Sequence, residues 1–362
     1  MSDLSKSFNF NRHNIKGRGA GHNPESRFES TYVHCEPYEG EEYNEEPRPL
    51  LRTEFLKDSS KSIVTENDSP DIPFRYSVNP YRGCEHGCAY CYARPTHEYL
   101  GFSAGLDFES KILVKEAAPE LLREKLMSRA WIGESITFSG NTDCYQPIER
   151  QLQLTRRCLE VLGEFRNPVS LITKNALITR DIDILAPLAG MGAAAVYISI
   201  TTLDDELCAS LEPRTSRPQS RLRAIGELSA AGIPVGVNVA PVIPGLTDCE
   251  MPAILSAAAA AGARFAGYTP LRLPLAVRPI FTEWLATHRP LRKEKVLALQ
   301  RDIRGGSLND SRFGSRMRGE GPVAATLKQM FTLTSRKLGL NRERLELSSA
   351  HFSRPGDQLS WF

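Results

Sequence analysis

Three closely spaced cysteines carry the clearest chemistry in this sequence. Cys84, Cys88 and Cys91 follow the pattern CxxxCxxC, directly after a short β-rich stretch at 76–79. Three thiolates on one tight loop can each bind a different iron of a cubane iron–sulfur cluster. Because no fourth cysteine lies in or beside the loop, we expect one iron to stay open. An open iron can chelate a substrate or cofactor, whereas an electron carrier usually binds its cluster through four protein ligands.

A structural zinc site is the main alternative for these cysteines. Zinc ribbons and fingers usually bring two ligand pairs separated by about 12–20 residues. His86 and His97 lie nearby, but neither forms a standard pair with a second CxxC motif. The spacing therefore favours an iron–sulfur cluster over zinc. Four scattered cysteines are interpreted as small buried hydrophobic side chains: Cys35, Cys158, Cys208 and Cys249.

The elements around the motif are predicted from hydrophobic patterning. Short β-rich runs are predicted as strands at 76–79, 111–115, 135–139, 168–173, 194–201, 234–240 and 264–268. Helical patterns separate most of them, at about 117–129, 149–165, 180–189, 216–231 and 248–261. This alternation predicts right-handed βαβ units, a parallel sheet and a full or partial barrel. In such a barrel the active site lies at the carboxyl ends of the strands.

Polar side chains follow two of these predicted strands. Residues 139–147 read Ser-Gly-Asn-Thr-Asp-Cys-Tyr-Gln-Pro. Hydroxyl, amide and carboxylate groups in one run suit an ammonium ligand, and they also suit a turn with a helix cap. Lys174 follows the 168–173 strand, where it is either a surface lysine with an apolar stem or a ligand for an anion.

The cysteine spacing is the signature of the radical S-adenosylmethionine (SAM) enzymes, which this sequence resembles at further points. The resemblance is to the spore photoproduct lyase-like branch, as part of a bacterial subgroup of unknown substrate. It covers about residues 75–270. It implies an α/β fold, a partial (β/α)6-type TIM barrel open on one side, with N- and C-terminal extensions.

The resemblance also implies contacts to the methionine part of SAM. The branch has a Cys-Thr-Ser-Asp run that matches residues 140–143 here, which implies that Thr142 and Asp143 contact the amino group. A matching Thr-Lys pair implies that Lys174 binds the carboxylate.

Further matches concern the adenosine side of the cofactor. Tyr90, the aromatic residue before the last motif cysteine, is expected near the adenine. Ser199 and Thr201 match a Ser-x-Asn of the branch, and this implies a cofactor contact for Ser199. Ala240 lies in a run that matches Val-Ala-Pro-Ile, whose backbone is expected to face the adenine.

One departure from the branch concerns hydrogen transfer. In the lyase, the cysteine of the Cys-Thr-Ser-Asp run returns a hydrogen atom to the substrate radical, and here that position is Gly140. Cys144, four residues on, is the candidate replacement. Tyr92 matches a lyase tyrosine near the hydrogen-transfer path. The sequence therefore does not favour repair of thymine dimers.

Composition predicts three parts within an ordinary globular chain. It has 362 residues, 41% hydrophobic and 24% charged, with a net charge of +2. We predict a polar, partly disordered extension at 1–70, the barrel at 71–275 and a basic extension or cap at 276–362. The first part contains six acids within 36–46 and a basic Gly-rich stretch at 16–20, interpreted as a flexible arm rather than a phosphate contact. With no run of 18 apolar residues and no apolar signal core, a cytoplasmic location without a membrane span is expected.

The C-terminal region carries a local excess of positive charge. Residues 301–344 contain ten Lys or Arg and four Asp or Glu, a local net charge of +6. Basic residues interleaved with glycines and Phe313 can follow a phosphate backbone and stack a base, which makes nucleic acid a candidate partner. The alternative is a basic loop packed over the open side of the barrel.

Together these patterns predict a radical SAM enzyme. The three cysteines hold a 4Fe-4S cluster whose open iron chelates S-adenosylmethionine. One electron from a flavodoxin- or ferredoxin-like donor then yields a 5′-deoxyadenosyl radical, which abstracts hydrogen from an unidentified substrate. An iron–sulfur electron-transfer protein and a zinc-stabilised nucleic-acid-binding module are the alternatives.

Overall fold

The computed structural model describes residues 15–28 and 51–356. Cys35 and the acidic run at 36–46 lie outside the described residues. In the described ranges, none of the helices combines the length and the apolar composition that crossing a membrane requires.

The chain alternates strands and helices between residues 111 and 270. The strands are β1 (Glu54–Lys57), β2 (Val64–Glu66), β3 (Tyr76–Val78), β4 (Tyr81–Arg82), β5 (Lys111–Val114), β6 (Ile136–Phe138), β7 (Val169–Thr173), β8 (Ala194–Ser199), β9 (Val235–Val242) and β10 (Phe265–Pro270). The helices are α1 (Leu106–Ser110), α2 (Ala118–Met127), α3 (Glu149–Leu152), α4 (Leu154–Phe165), α5 (Ile182–Gly190), α6 (Asp205–Leu211), α7 (Pro218–Ala230), α8 (Met251–Ala260), α9 (Val277–His288), α10 (Pro290–Asp302), α11 (Ser315–Arg318) and α12 (Gly321–Leu338).

The main sheet has seven strands, of which six are parallel, as the patterning predicts. The order is β10-β9-β8-β7-β6-β3-β2, in which β2 pairs antiparallel with β3 and every other pairing is parallel. The two edges, β10 and β2, do not pair with each other among the described residues. The predicted α/β partial barrel, open on one side, is therefore confirmed. We call the carboxyl ends of its parallel strands the mouth.

The predicted strand at 111–115 forms, but it lies in a different sheet. It becomes β5, which pairs parallel with β1 and antiparallel with β4. β4 begins only three residues after β3 ends, so the chain turns out of the main sheet between them and offers β5 a separate partner. Local periodicity indicates a strand but not its neighbours, because pairing partners come from distant parts of the chain.

The main core lies between the sheet and the helices that cover its outer face. Side chains of the central strands alternate between this core and the barrel interior, as the burial of β7 shows. A second apolar cluster joins the cysteine loop to α9 and α10. Its members include Cys88, Tyr90, Val277, Phe281, Trp284 and Val296. The helices after residue 276 therefore support the loop on which the motif lies.

Described parts of both predicted extensions contact the barrel. β1 and β2 lie within 1–70 and pair with strands of the 71–275 region. At the other end, α12 packs near β10, and the rings of Tyr268 and Phe331 lie 4.7 Å apart. The division at 70 and 275 stays a prediction.

Burial in the main core predicts a large difference between two leucines. Leu171 in β7 is fully buried, whereas Leu291 at the start of α10 is 99% exposed. Leu171→Ala should lower the free energy of unfolding by about 2–5 kcal/mol because it removes buried apolar surface and leaves a cavity. Leu291→Ala should change it by less than about 0.5 kcal/mol. Denaturant unfolding of both variants measures this, and equal effects would contradict the described core.

Candidate active site

The three motif cysteines lie together on the loop that follows β4. All three are free thiols; Cys84 and Cys88 are buried and Cys91 is part exposed. Burial, with a smaller effect from the neighbouring Cys84, raises the pKa of the Cys91 thiol to about 11. Burial likewise raises the pKa of Cys88 well above its usual value. Thiols so placed become thiolates when they bind a metal, so this donor set fits an iron–sulfur cluster.

A fully buried arginine fixes the backbone of this loop. Arg94 donates to the carbonyl of Cys88 from Nε at 3.1 Å and from NH2 at 2.9 Å. Its third nitrogen donates to the carbonyl of Gly105 at 2.9 Å. Arg94 also forms an ion pair with Glu109, and both side chains are fully buried. Removing either charge would leave the other buried and unpaired, so the pair constrains the loop strongly.

The basic Gly-rich stretch at 16–20 packs against the cysteine loop. The Glu109 carboxylate accepts hydrogen bonds from the backbone N–H groups of Gly19 and Ala20, at 3.0 and 2.8 Å. A Cβ at Gly19 would lie 1.8 Å from the carbonyl oxygen of Gly87, so the close approach requires glycine. The interpretation of 16–20 as a flexible arm is therefore wrong, because buried groups bind its backbone.

A second set of contacts joins the loop to the segment after β6. Gln146 accepts from the backbone N–H of Glu85 at 2.9 Å and donates to the carbonyl of Gly83 at 3.2 Å. The Glu85 carboxylate accepts from the N–H of Ile148 at 2.9 Å and forms a salt bridge with Arg214. The loop and the 139–148 segment therefore form one continuous rim at the mouth.

Asp143 is the centre of the polar contacts at this rim. Its carboxylate accepts from the hydroxyl of Thr173 at 2.8 Å, from the N–H of Lys174 at 2.8 Å and from the N–H of Tyr145 at 2.9 Å. Burial raises its pKa. The adjacent His86, at 3.4 Å, and the backbone N–H groups of Lys174 and Tyr145 together outweigh that effect and hold the pKa at about 2. The carboxylate is therefore ionised, and its partners fix the geometry at the ends of β6 and β7.

The Lys174 ammonium faces the cysteine loop. Its Nζ lies 5.8 Å from the centre of the Tyr90 ring. Burial raises the pKa of the Cys88 and Cys91 thiols, and the charge of Lys174 acts in the opposite direction on both. A cation near two of the motif thiols and at a strand end is placed to bind an anionic group at the mouth.

Tyr90 is tied to β8 and α7 by a buried network. Its hydroxyl donates to Glu212 and lies 3.1 Å from the hydroxyl of Thr201, which itself donates to Glu212 at 2.7 Å. Arg221 forms an ion pair with Glu212 and donates to the carbonyl of Ser199 at 2.9 Å. Burial raises the pKa of Glu212. Arg221, with smaller effects from Lys174 and the two hydroxyl donors, outweighs this and holds the pKa at about 2.

The other predicted cofactor residues lie at the same mouth. The Thr142 hydroxyl donates to the carbonyl of Tyr81 at 2.6 Å, and the carbonyl of Ala240 accepts from Thr201 at 3.1 Å. Ser199 is buried at the end of β8. The structure thus brings all six predicted cofactor residues to one face of the barrel. Several of their polar groups already have protein partners there.

The two residues predicted for hydrogen transfer occupy different environments. Tyr92 is 47% exposed at the mouth and donates to the carbonyl of Gly140 at 2.9 Å. Cys144 is 1% exposed and packs in the main core, and burial raises its pKa well above the usual value. This placement favours a packing role for Cys144 and a site-facing role for Tyr92.

Sequence reasoning missed the residues that hold the loop. Arg94 lies three residues after the last motif cysteine. This closeness to the motif is the one sequence feature that could have indicated its role in fixing the loop. Glu109, Gln146 and Arg221 carry no local signal, since charged and polar residues of their type are usually exposed.

The sequence of this chain also matches a known protein family. A sequence profile described as the radical SAM superfamily matches residues 78–258, half of the chain. The chain belongs to the radical SAM superfamily. Members of this superfamily use a 4Fe-4S cluster and S-adenosylmethionine, which confirms the two predicted cofactors, and they need an electron donor.

Relatives of similar sequence occur in bacteria and archaea. An uncharacterized protein of Mycobacterium tuberculosis is 40% identical over 221 residues, which are 60% of this chain and 65% of that protein. An uncharacterized protein of Methanocaldococcus jannaschii is 29% identical over 199 residues, 55% of this chain and 71% of the relative. The alignment with the mycobacterial relative thus spans less than two thirds of its length.

Solved structures of spore photoproduct lyase share the fold. The lyase complexed with dinucleoside spore photoproduct superposes with a TM-score of 0.58 at 16% identity, covering 79% of this chain and 80% of the lyase. A lyase variant with bound AdoMet and dinucleoside spore photoproduct gives a TM-score of 0.57, with the same identity and coverage. This likeness establishes the partial barrel fold.

The Glu212–Arg221 pair predicts a specific dependence of stability on pH. The pKa of Glu212 is lowered in the folded state, so its contribution is present above about pH 4.5 and is lost as the pH falls toward 2. At pH 7, Glu212→Gln should lower the free energy of unfolding by about 3–5 kcal/mol, because Arg221 stays buried without its partner. The difference in free energy of unfolding between the variant and the wild type should become smaller as the pH falls from 5 to 3.

Denaturant unfolding at several pH values measures this gap. The matched control is Glu294→Gln, at an exposed position of α10, which should follow the wild type at every pH. A gap that stays constant between pH 7 and pH 3 would exclude the proposed ionisation of Glu212.

Proposed function

We propose that this chain is a radical SAM enzyme in which Cys84, Cys88 and Cys91 hold the 4Fe-4S cluster and S-adenosylmethionine binds at its open iron. The observation that carries the proposal is the placement of three free thiols, on a loop fixed by buried ion pairs, beside Lys174 and the strand ends. When bound, the cluster and S-adenosylmethionine supply the chemistry of hydrogen abstraction. The substrate of that abstraction is unidentified.

The residues of this chain bind and orient the cofactor. Lys174 presents a cation at the mouth, where it binds the methionine carboxylate. The backbone of Ala240 and the ring of Tyr90 line the adenine side, and Glu212 holds that ring in place through the Tyr90 hydroxyl. Asp143 positions Lys174 through its backbone N–H, and it also lies where the amino group is expected. The remaining proposed cofactor contacts are Thr142 and Ser199.

The apolar cluster around the cysteine loop excludes water from one side of the site. Leu271, Leu273 and Phe281 are fully buried in the cluster that also contains Cys88 and Tyr90. A dry environment strengthens charge interactions and protects reactive species from side reactions. Tyr92, which follows Cys91 and is 47% exposed, is the residue that we place beside the substrate.

The position of Lys174 favours an enzyme over an electron carrier. A carrier needs thiolates and an electron path but no cation directed at the cluster loop from a neighbouring strand end. The proposal includes a flavodoxin- or ferredoxin-like protein as the electron donor. Anaerobic incubation with dithionite and S-adenosylmethionine, assayed for 5′-deoxyadenosine, tests the proposed function directly. Absence of that product from cluster-loaded protein would reject it.

The cluster assignment predicts different outcomes for two buried cysteines. Cys88→Ala should abolish reconstitution of a four-iron cluster, because each thiolate binds its own iron. Cys158→Ala is the matched control, since Cys158 is fully buried in α4 within the main core. It should bind as much iron and sulfide as the wild type. Iron and sulfide analysis decides this, and a complete cluster in Cys88→Ala would rule out the assignment.

The role of Lys174 predicts a loss of cofactor affinity without loss of the cluster. Lys174→Ala should weaken binding of S-adenosylmethionine by about 10- to 150-fold. This range corresponds to the loss of one charge-assisted hydrogen bond, which contributes about 1.5–3 kcal/mol. Its iron content and visible spectrum should stay those of the wild type. Lys328→Ala, at an exposed position of α12, is the control. Equal affinity in the two variants, measured by equilibrium dialysis, would show that Lys174 is not a ligand.

A further inference from the structure

The C-terminal segment closes part of the open side of the barrel. We call residues 309–318 the strap. Within it, Arg316 forms a salt bridge with Asp71 at 2.6 Å, and the N–H of Gly314 donates to the same carboxylate at 2.7 Å. Asp71 lies between β2 and β3, at one edge of the sheet. The strap therefore runs from the β10 edge of the barrel to the opposite edge, across the open side.

A buried arginine anchors the strap to the β10 edge. Arg304 is 3% exposed and donates to the carbonyl of Leu271 at 2.6 Å and to that of Pro270 at 3.1 Å. Its other terminal nitrogen donates to the carbonyls of Ser315 and Arg316, at 3.2 and 2.8 Å. Carbonyl oxygens satisfy these donors, but no carboxylate among them balances the charge.

Arg272 lies under the strap, directly after β10. Its guanidinium carbon is 5.8 Å from the centre of the Tyr92 ring, on the residue that follows Cys91. NH1 donates to the thioether sulfur of Met317 at 3.4 Å, which is a weak acceptor. Nε is buried and has no hydrogen-bond partner. The protein therefore gives the Arg272 guanidinium fewer and weaker hydrogen-bond acceptors than its donors can use.

Positive charge around Arg272 exceeds the negative charge available to balance it. Burial lowers the pKa of Arg272, and the charge of Arg316 lowers it further. Arg272 in turn adds to the effect of burial on Arg304, whose pKa falls to about 10. The nearby acids are already engaged, because Asp71 pairs with Arg316 and Asp310 pairs with Arg312. With a pKa of about 10, Arg304 stays charged at neutral pH.

We propose that Arg272 binds a phosphate group of the substrate at the mouth, under the strap. A partly exposed arginine whose Nε has no protein partner, among an excess of neighbouring positive charge, suits an oxyanion. Phosphate is favoured over carboxylate because the strap also presents Phe313, 63% exposed with Arg316 stacked at 4.4 Å, where a base attached to the phosphate can stack. This inference rests on the proposed function, since it places the substrate beside Tyr92 and the cysteine loop.

The structure predicts an unusual response to loss of this arginine. Arg272→Gln removes repulsion from Arg304 and Arg316 and breaks no ion pair. Its melting temperature should therefore equal or exceed that of the wild type, whereas a purely structural arginine would lower it on removal. Arg272→Lys keeps the charge but lacks the planar fork and is expected to bind with intermediate affinity.

Binding of phosphate-bearing probes to the cluster-loaded enzyme tests the proposal. The probes are inorganic phosphate, uridine monophosphate and fluorescein-labelled decathymidylate, with citrate as the carboxylate comparison at equal ionic strength. At least one phosphate probe should raise the wild-type melting temperature. Arg272→Gln should weaken binding of that probe by about 10- to 150-fold. For decathymidylate, Arg272→Gln should also reduce the slope of log affinity against log salt by about 0.7. Arg278→Gln, at an exposed position of α9, should match the wild type.

The outcomes separate this inference from the proposed function. If no phosphate probe binds the wild type, if Arg272→Gln binds as well as the wild type, or if citrate binds as tightly as the phosphates, the proposal is overturned. Affinity for S-adenosylmethionine and formation of 5′-deoxyadenosine are measured in the same samples. If the wild type neither binds S-adenosylmethionine nor forms 5′-deoxyadenosine, the enzyme assignment is rejected. If it does both but binds no phosphate probe, only the phosphate site is rejected. The pattern of probes that bind shows whether the phosphate belongs to a small molecule, a nucleotide or an oligonucleotide.

Discussion

The buried ion pair of Arg94 and Glu109 is the interaction on which the cysteine loop depends. A fully buried pair is stable only when its remaining donors and acceptors are also satisfied. Arg94 meets this condition through backbone carbonyls, including that of Cys88, and Glu109 meets it through the N–H groups of Gly19 and Ala20. The same groups that satisfy the charges therefore set the path of the loop, and the stretch at 16–20 becomes part of the site.

The opposite side of the loop is held on the same principle. Glu212 balances Arg221 and accepts from Tyr90, so the aromatic residue inside the motif is tied to β8 and α7. Asp143 links the ends of β6 and β7 by accepting from both Thr173 and Lys174. Each carboxylate gathers donors from separate elements. The cofactor residues are thereby oriented before a ligand binds, which is how rigid sites achieve precise geometry.

The balance of charges differs between the surroundings of the cysteine loop and the proposed substrate side under the strap. Around the loop, every buried carboxylate just described has a cationic partner or several N–H donors. Under the strap, the arginines outnumber the acids, and Arg272 keeps an unsatisfied nitrogen beside Tyr92. Buried polar groups without partners are rare in native proteins and call for an explanation. Binding of an anionic substrate group is such an explanation. The excess of positive charge would then lie next to the position where the reaction is expected.

The sequence by itself determined the barrel strands and the metal-binding motif, because thiol spacing and hydrophobic period are local properties of the chain. It also determined which strand ends carry polar groups. Only the tertiary structure decided that 111–115 joins a second sheet, that Cys144 points into the core, and that 16–20 packs on the loop. Arg94 and Arg272 look alike in the sequence. Their opposite roles arise because a carboxylate 15 residues away pairs with one, whereas the acids near the other are taken by different arginines.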